Sequence, residues 1–86
     1  MSEGHQGERG ELVPLSKVPA GTTVRVARLT GGRGMVARLT NMGLNAGSEI
    51  TVMRNDPAGP LIVRCKGSRL ALGRGVLDRI FTEALR

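Results

Sequence analysis

A chain of 86 residues with a net charge of +6, one phenylalanine and no tryptophan or tyrosine offers little material for a large enclosed active site. A domain this small buries only roughly 60% of the surface its unfolded chain exposes, and here Val, Leu, Ile, Met and Ala must build the core without aromatic platforms on which bases could stack. From residue 12 onward, twelve lysines and arginines stand against four acids, Glu49, Asp56, Asp78 and Glu83, a surface that either attracts something anionic or serves only to keep the protein soluble.

Residues 1–11, MSEGHQGERGE, are polar and glycine-rich without hydrophobic periodicity, which predicts a flexible tail ahead of a single domain at 12–86. His5, the only histidine, falls in that tail and has no companion ligand nearby. Leu12 to Val18 reads as a short helical turn, with Pro14 setting its start and Ser16 available as a cap. Pro19-Ala20-Gly21 then forms a turn. Thr22 to Leu29 alternates Val24 and Val26 with Thr23 and Arg25, a strand pattern whose phase slips near Ala27, where a bulge or the end of the strand is expected.

The most complete local signal follows, GGRGMVARLTNMGLNAG from Gly31 to Gly47. Met35, Val36, Leu39 and Met42 form one apolar stripe of a helix predicted at about 34–42. Gly43 is placed to close it in a left-handed conformation, with Leu44 folding back on Leu39 as in a Schellman cap. Asn45-Ala46-Gly47 turns the chain into a strand from Ser48 to Asn55, with Ile50 and Val52 facing one way and Glu49, Thr51 and Met53 the other. The segments AGTTVRV and AGSEITV echo one another, which reads as recurring turn chemistry. After the loop Asp56-Pro57-Ala58-Gly59-Pro60 comes a strand from Leu61 to Lys66 with Leu61, Val63 and Cys65 on one face. Gly67-Ser68 is the expected two-residue hairpin connection to Arg69–Leu72. Val76 to Arg79 reads as one helical turn, and Ile80 to Leu85 as a last strand. About five short strands at this spacing favour a small closed barrel, with the helix capping one opening.

Catalytic chemistry lacks its parts. No histidine lies in the folded region to serve as a base, the four acids are scattered, and Cys65 shares the parity of core residues. One cysteine and one tail histidine do not make a metal site, so no cofactor is expected. A single cysteine, no signal-peptide core and no run of about 20 apolar residues predict a cytoplasmic protein that reaches a membrane only peripherally. Gly32-Arg33-Gly34-Met35-Val36-Ala37 matches G-x-G-x-x-A, but a dinucleotide fold needs several βαβ units and the remaining chain is patterned as hairpins. The first amide groups of the helix, with Arg33, retain a capacity to receive an anion. Arg33, Arg38, Leu39, Met42 and Leu44 are the candidate docking residues, apolar side chains bordered by arginine.

The run Gly32 to Ile50 resembles the helix-and-turn signature of the FeoA family, chiefly at Arg38-Leu39, Met42-Gly43-Leu44 and Gly47 with Ile50. Leu15-Ser16, Pro19-Ala20-Gly21, Gly59-Pro60-Leu61, Arg69-Leu70-Ala71-Leu72 and Ile80 extend the resemblance over about residues 12–85. It implies an SH3-like barrel with an inserted helix and a non-enzymatic accessory role in ferrous iron uptake, binding the membrane transporter FeoB from the cytoplasmic side of the inner membrane. Asn45-Ala46 stands where the family often has a proline, and Gly73 and Leu77 replace its usual arginine and alanine, with Arg74 available as a substitute. The alternative is an SH3-like basic module that binds nucleic acid or acts as the regulatory domain of an iron repressor. The lack of aromatics counts against nucleic acid. An exposed barrel edge would also allow two copies to pair.

Overall fold

The computed structural model describes residues 11–85. Of the expected tail only Glu11 falls within them, and Arg86 lies outside them as well. Six strands form one antiparallel sheet: β1 (Val13–Pro14), β2 (Thr23–Leu29), β3 (Glu49–Asn55), β4 (Leu61–Cys65), β5 (Ser68–Leu72) and β6 (Ile80–Ala84), in the order β1-β6-β2-β3-β4-β5. Helix α1 (Gly32–Asn41) is inserted between β2 and β3, and the single turn α2 (Arg74–Leu77) between β5 and β6. The sheet curls around one aliphatic core to which its strands contribute alternate side chains. Val24, Val26, Ile50, Val52, Leu61, Val63, Cys65, Leu72 and Ile80 are all buried there, with Leu15, Val18, Leu39, Leu44 and Leu77 from the connections.

The echo between AGTTVRV and AGSEITV has a structural cause. Gly21 N donates to Val52 O at 2.7 Å and Val52 N to Thr22 O at 2.9 Å. Twenty-six residues on, Gly47 N donates to Val26 O at 2.6 Å and Val26 N to Ser48 O at 2.8 Å. Each end of the β2–β3 ladder is therefore a bulge in which a glycine with φ near +90° and its hydroxyl neighbour oppose one valine. The two are related by a local twofold through the Val24↔Ile50 pair. One arm of that twofold is joined by hydroxyls, Thr23 Oγ1 to Thr51 Oγ1 at 2.8 Å, and the other by the Arg25–Glu49 ion pair at 3.8 Å.

The phase slip at Ala27 is a third bulge, between Val26 and Arg28 in the pairing with β6. A fourth, between Val52 and Arg54, leaves Met53 unpaired against β4. Both turn their strands, which a barrel this narrow requires.

Several expected boundaries move. Leu12–Val18 is not a capped helical turn: Pro14 is extended and pairs with Phe81, and only Leu15–Lys17 winds, as a 3₁₀ turn. Ser16 caps nothing and instead donates to Asp78 Oδ1 at 2.8 Å. The hairpin turn is Lys66-Gly67, one residue earlier than the glycine-serine reading, and Ser68 opens β5. That register pairs all five residues of both strands and sets Leu61 on Leu72 and Val63 on Leu70. It places Lys66 at φ 52°, a left-handed conformation costing an L side chain about 1–2 kcal/mol. Helix α1 begins two residues before the expected start and ends with Met42 as its cap, and α2 likewise begins two residues early.

One end of the barrel is tied by an asparagine and an arginine. Asn55 Nδ2 donates to Ser16 O at 3.1 Å and Val18 O at 2.8 Å. Arg74 donates from Nε to Gly59 O at 3.0 Å, and from Nη2 to Asn55 Oδ1 at 2.9 Å and Asp56 O at 2.7 Å. The buried hydroxyl of Thr82 donates to Val13 O at 2.8 Å and fastens β1 to β6.

Gly21→Ala and Gly47→Ala should each lower stability by about 1–2 kcal/mol, a fall of several degrees in thermal melting. Gly59→Ala, with open space and no left-handed φ, should leave the melt near that of the parent. Arg74→Lys should lose most of what Arg74→Ala loses, about 1.5–3 kcal/mol in denaturant titration, because an ammonium cannot span three acceptors as the guanidinium does.

Candidate partner-docking surface

Helix α1 is an excursion from two strands that are themselves neighbours. The chain leaves β2 at Thr30, whose N donates to Arg79 O at 2.9 Å, and rejoins β3 at Gly47 and Ser48. The G-x-G-x-x-A match thus lies between antiparallel neighbours and not in a βαβ crossover. No side chain caps the start of the helix.

Its far end is closed by the full Schellman pattern. Gly43, at φ 100°, donates to Thr40 O at 2.9 Å, and Leu44 N donates to Leu39 O at 2.9 Å. Leu44 is completely buried and Leu39 is 2% exposed. The Gly43 carbonyl accepts from Ser48 Oγ at 3.5 Å and, from β4, from Cys65 Sγ at 3.8 Å.

That closure divides the candidate docking residues. Leu39 and Leu44 belong to the core and present no side chain to a partner, which corrects their inclusion in the exposed set. Arg33, Arg38 and Met42 are exposed, Met42 to 40%. The apolar stripe is accordingly only partly covered: Leu39 anchors it, Met35 and Val36 are half-buried, and Met42 stands out. At the last turn, the left-handed step at Gly43 redirects the chain so that Leu44 enters the core while Met42 stays outside it.

Between α1 and the β5–α2 junction lies a cleft of about 140 Å³ bordered by Met35, Arg38, Met42, Leu72 and Val76, with Leu39 at its floor. On the other flank, Leu29, Arg33, Val36, Ala37 and Thr40 line a broad open groove. The cleft is below the ≈ 300–1,000 Å³ typical of small-molecule sites and suits a protruding side chain of a protein partner, while the groove, at about 610 Å³, is larger and open. A hollow of about 300 Å³ lies apart from α1, between Val13, Val18, Val24 and Leu85, and borders both ends of the described segment. Among the described residues, no three His, Cys, Asp or Glu side chains come together, and no helix is long and apolar enough to cross a membrane.

Comparison with known proteins adds what geometry does not. The family model for the FeoA domain matches residues 13–84. The chain belongs to the FeoA family. A protein of Methanocaldococcus jannaschii, provisionally named Fe(2+) transport protein A, is 40% identical over 72 residues, covering 84% of this chain and 87% of the relative. A crystal structure of an iron uptake regulatory protein, FeoA, superposes with a TM-score of 0.78 at 33% identity, covering 87% of this chain and 99% of that one. A manganese-dependent transcriptional repressor matches with a TM-score of 0.77 at 22% identity through 42% of its length, a likeness of fold alone. The barrel with its inserted helix is the SH3-like architecture of FeoA.

Sequence reading missed Asn55 and underrated Arg74. The family's usual arginine one position earlier was the available signal, and Arg74 makes three bonds in its own right.

Leu39→Ala should destabilise by about 2–5 kcal/mol, as buried leucines do, whereas Met42→Ala should stay within about 0.5 kcal/mol of the parent. Chemical denaturation of the two variants separates a structural leucine from a methionine held at the surface.

Proposed function

We propose that this protein is a cytoplasmic accessory factor of ferrous iron uptake that binds a FeoB-type membrane transporter through the outer face of α1. Family membership supports the process. The exposure of Met42 beside Arg38, at the mouth of an apolar cleft, supports the place. An apolar side chain held 40% exposed by a rigid glycine closure, next to a cation, gives a partner both desolvation and a charge to pair with.

In this reading the residues divide their work. Leu39 and Leu44 fix the helix to the barrel so that the contacting side chains are presented without an ordering cost at binding. Met42, unbranched and adaptable, meets an apolar residue of the transporter. Arg38 and Arg33 pair with acids around it. The protein's effect on transport is then exerted through contact and not through chemistry of its own. Contact with the transporter brings it to the membrane.

Met42→Glu and Arg38→Glu, measured separately by co-purification with the detergent-solubilised transporter, should each weaken capture by tenfold or more, the cost typical of an interface hot spot, while melting like the parent. Retention of full capture by both folded variants would remove α1 as the contact. Leu39→Asp does not serve this purpose, because a buried charge would unfold the barrel.

A further inference from the structure

The outer face of the β3–β4–β5 meander carries an arrangement of charge that folding does not require. Arg64 on β4 and Arg69 on β5 are direct cross-strand partners, both exposed. They follow the Cys65↔Ser68 pair that closes the turn, so the alternation of an antiparallel ladder makes them a non-hydrogen-bonded pair with Cα atoms about 4.5 Å apart. Like charges facing each other at that spacing oppose strand pairing. No acid among the described residues forms an ion pair with either of them. Among the described residues, ion pairs form only at Arg25, with Glu49 and Glu83 on the neighbouring strands β3 and β6. Arg54 stands beside the pair, opposite Ile62, and Lys66 carries the charge into the turn. Between these cations lie Ile62, Ala71 and the bulged Met53, which is 38% exposed.

We infer that this face docks on an anionic phospholipid surface. Three cations on three strands and a fourth in the turn, with aliphatic and thioether side chains between them, match a plane of phosphate and acidic headgroups over an apolar interior. A folded acidic protein would leave the intervening Met53 and Ile62 opposite charge, and sheet surfaces that bind single strands rely on aromatic side chains, of which this face has none. Each cation near a charged bilayer is worth about fivefold in partitioning, so four give weak and reversible attachment. The face adjoins the cleft beside α1 at Ala71, but none of its cations Arg54, Arg64, Lys66 and Arg69 lines either groove beside the helix.

The test is co-sedimentation of the full chain with vesicles of phosphatidylcholine alone and of phosphatidylcholine mixed with phosphatidylglycerol, at low and high salt. Binding should be confined to the anionic vesicles and fall as salt rises. Arg64→Ser with Arg69→Ser should reduce partitioning by roughly 30-fold while melting no lower than the parent, because the repulsion is gone. Arg54→Ser with Lys66→Ser should give a similar loss. Lys17→Ser with Arg28→Ser removes the same charge elsewhere and should stay close to the parent. Equal binding to both vesicle types, an equal loss in all three double variants, or tighter capture of duplex DNA through the same arginines would overturn the assignment. None of these outcomes bears on transporter capture through Met42, which is measured in detergent.

Discussion

Arg74 holds the place where this barrel could come apart. Its guanidinium reaches from the turn after β5 to the carbonyls of Asp56 and Gly59 and to the side chain of Asn55, which in turn holds the carbonyls of Ser16 and Val18. Three segments far apart in sequence, 16–18, 55–59 and Arg74, thus share one hydrogen-bond network at one end of the sheet. The acceptors are mostly backbone carbonyls of loops that have no strand partners of their own, and leaving them unsatisfied would carry a desolvation cost. An all-aliphatic core supplies cohesion without direction, since the hydrophobic effect is proportional to area and indifferent to geometry. Direction comes from this node, from the two reciprocal glycine bulges and from the Thr82 bond to β1.

With the barrel fixed, the helix can be light. A ten-residue α1 would be marginal alone, and its attachment is concentrated in Leu39 and in the closure that buries Leu44. The same closure explains both why the helix stays and why Met42 does not enter the core. Structural hold and surface display are consequences of one left-handed residue. The basic meander on β3–β5 is a separate feature, and there local repulsion at Arg64 and Arg69 is tolerated because the Leu61↔Leu72 and Val63↔Leu70 pairs on the opposite face hold the hairpin in register.

Alternation and turn chemistry made most of the fold legible in the sequence. Val24 and Val26, Ile50 and Val52, and Leu61, Val63 and Cys65 each announced an inward face, and the slip at Ala27 announced its bulge. Gly43 with Leu44 predicted the helix stop. The hairpin turn was misplaced by one residue because a lysine in the left-handed region carries no composition signal, and the two-residue β1 because a proline in a short strand looks like a helix start. Docking residues were harder to read. Helical spacing puts Leu39 and Met42 on the same stripe, and periodicity alone cannot say where along that stripe the barrel ends. Network residues such as Asn55 are still less visible, because their partners are backbone atoms, which every residue has.

The single thiol lies where these features meet. Cys65 is buried to 4% exposure, with its sulfur against the carbonyl of the glycine that ends α1. A reagent can reach it only after the packing around that point has opened locally, at the end of α1 or at the neighbouring hairpin turn. Its rate of modification therefore keeps time for local opening beside the end of α1, a native clock on the closure that holds the helix to the barrel.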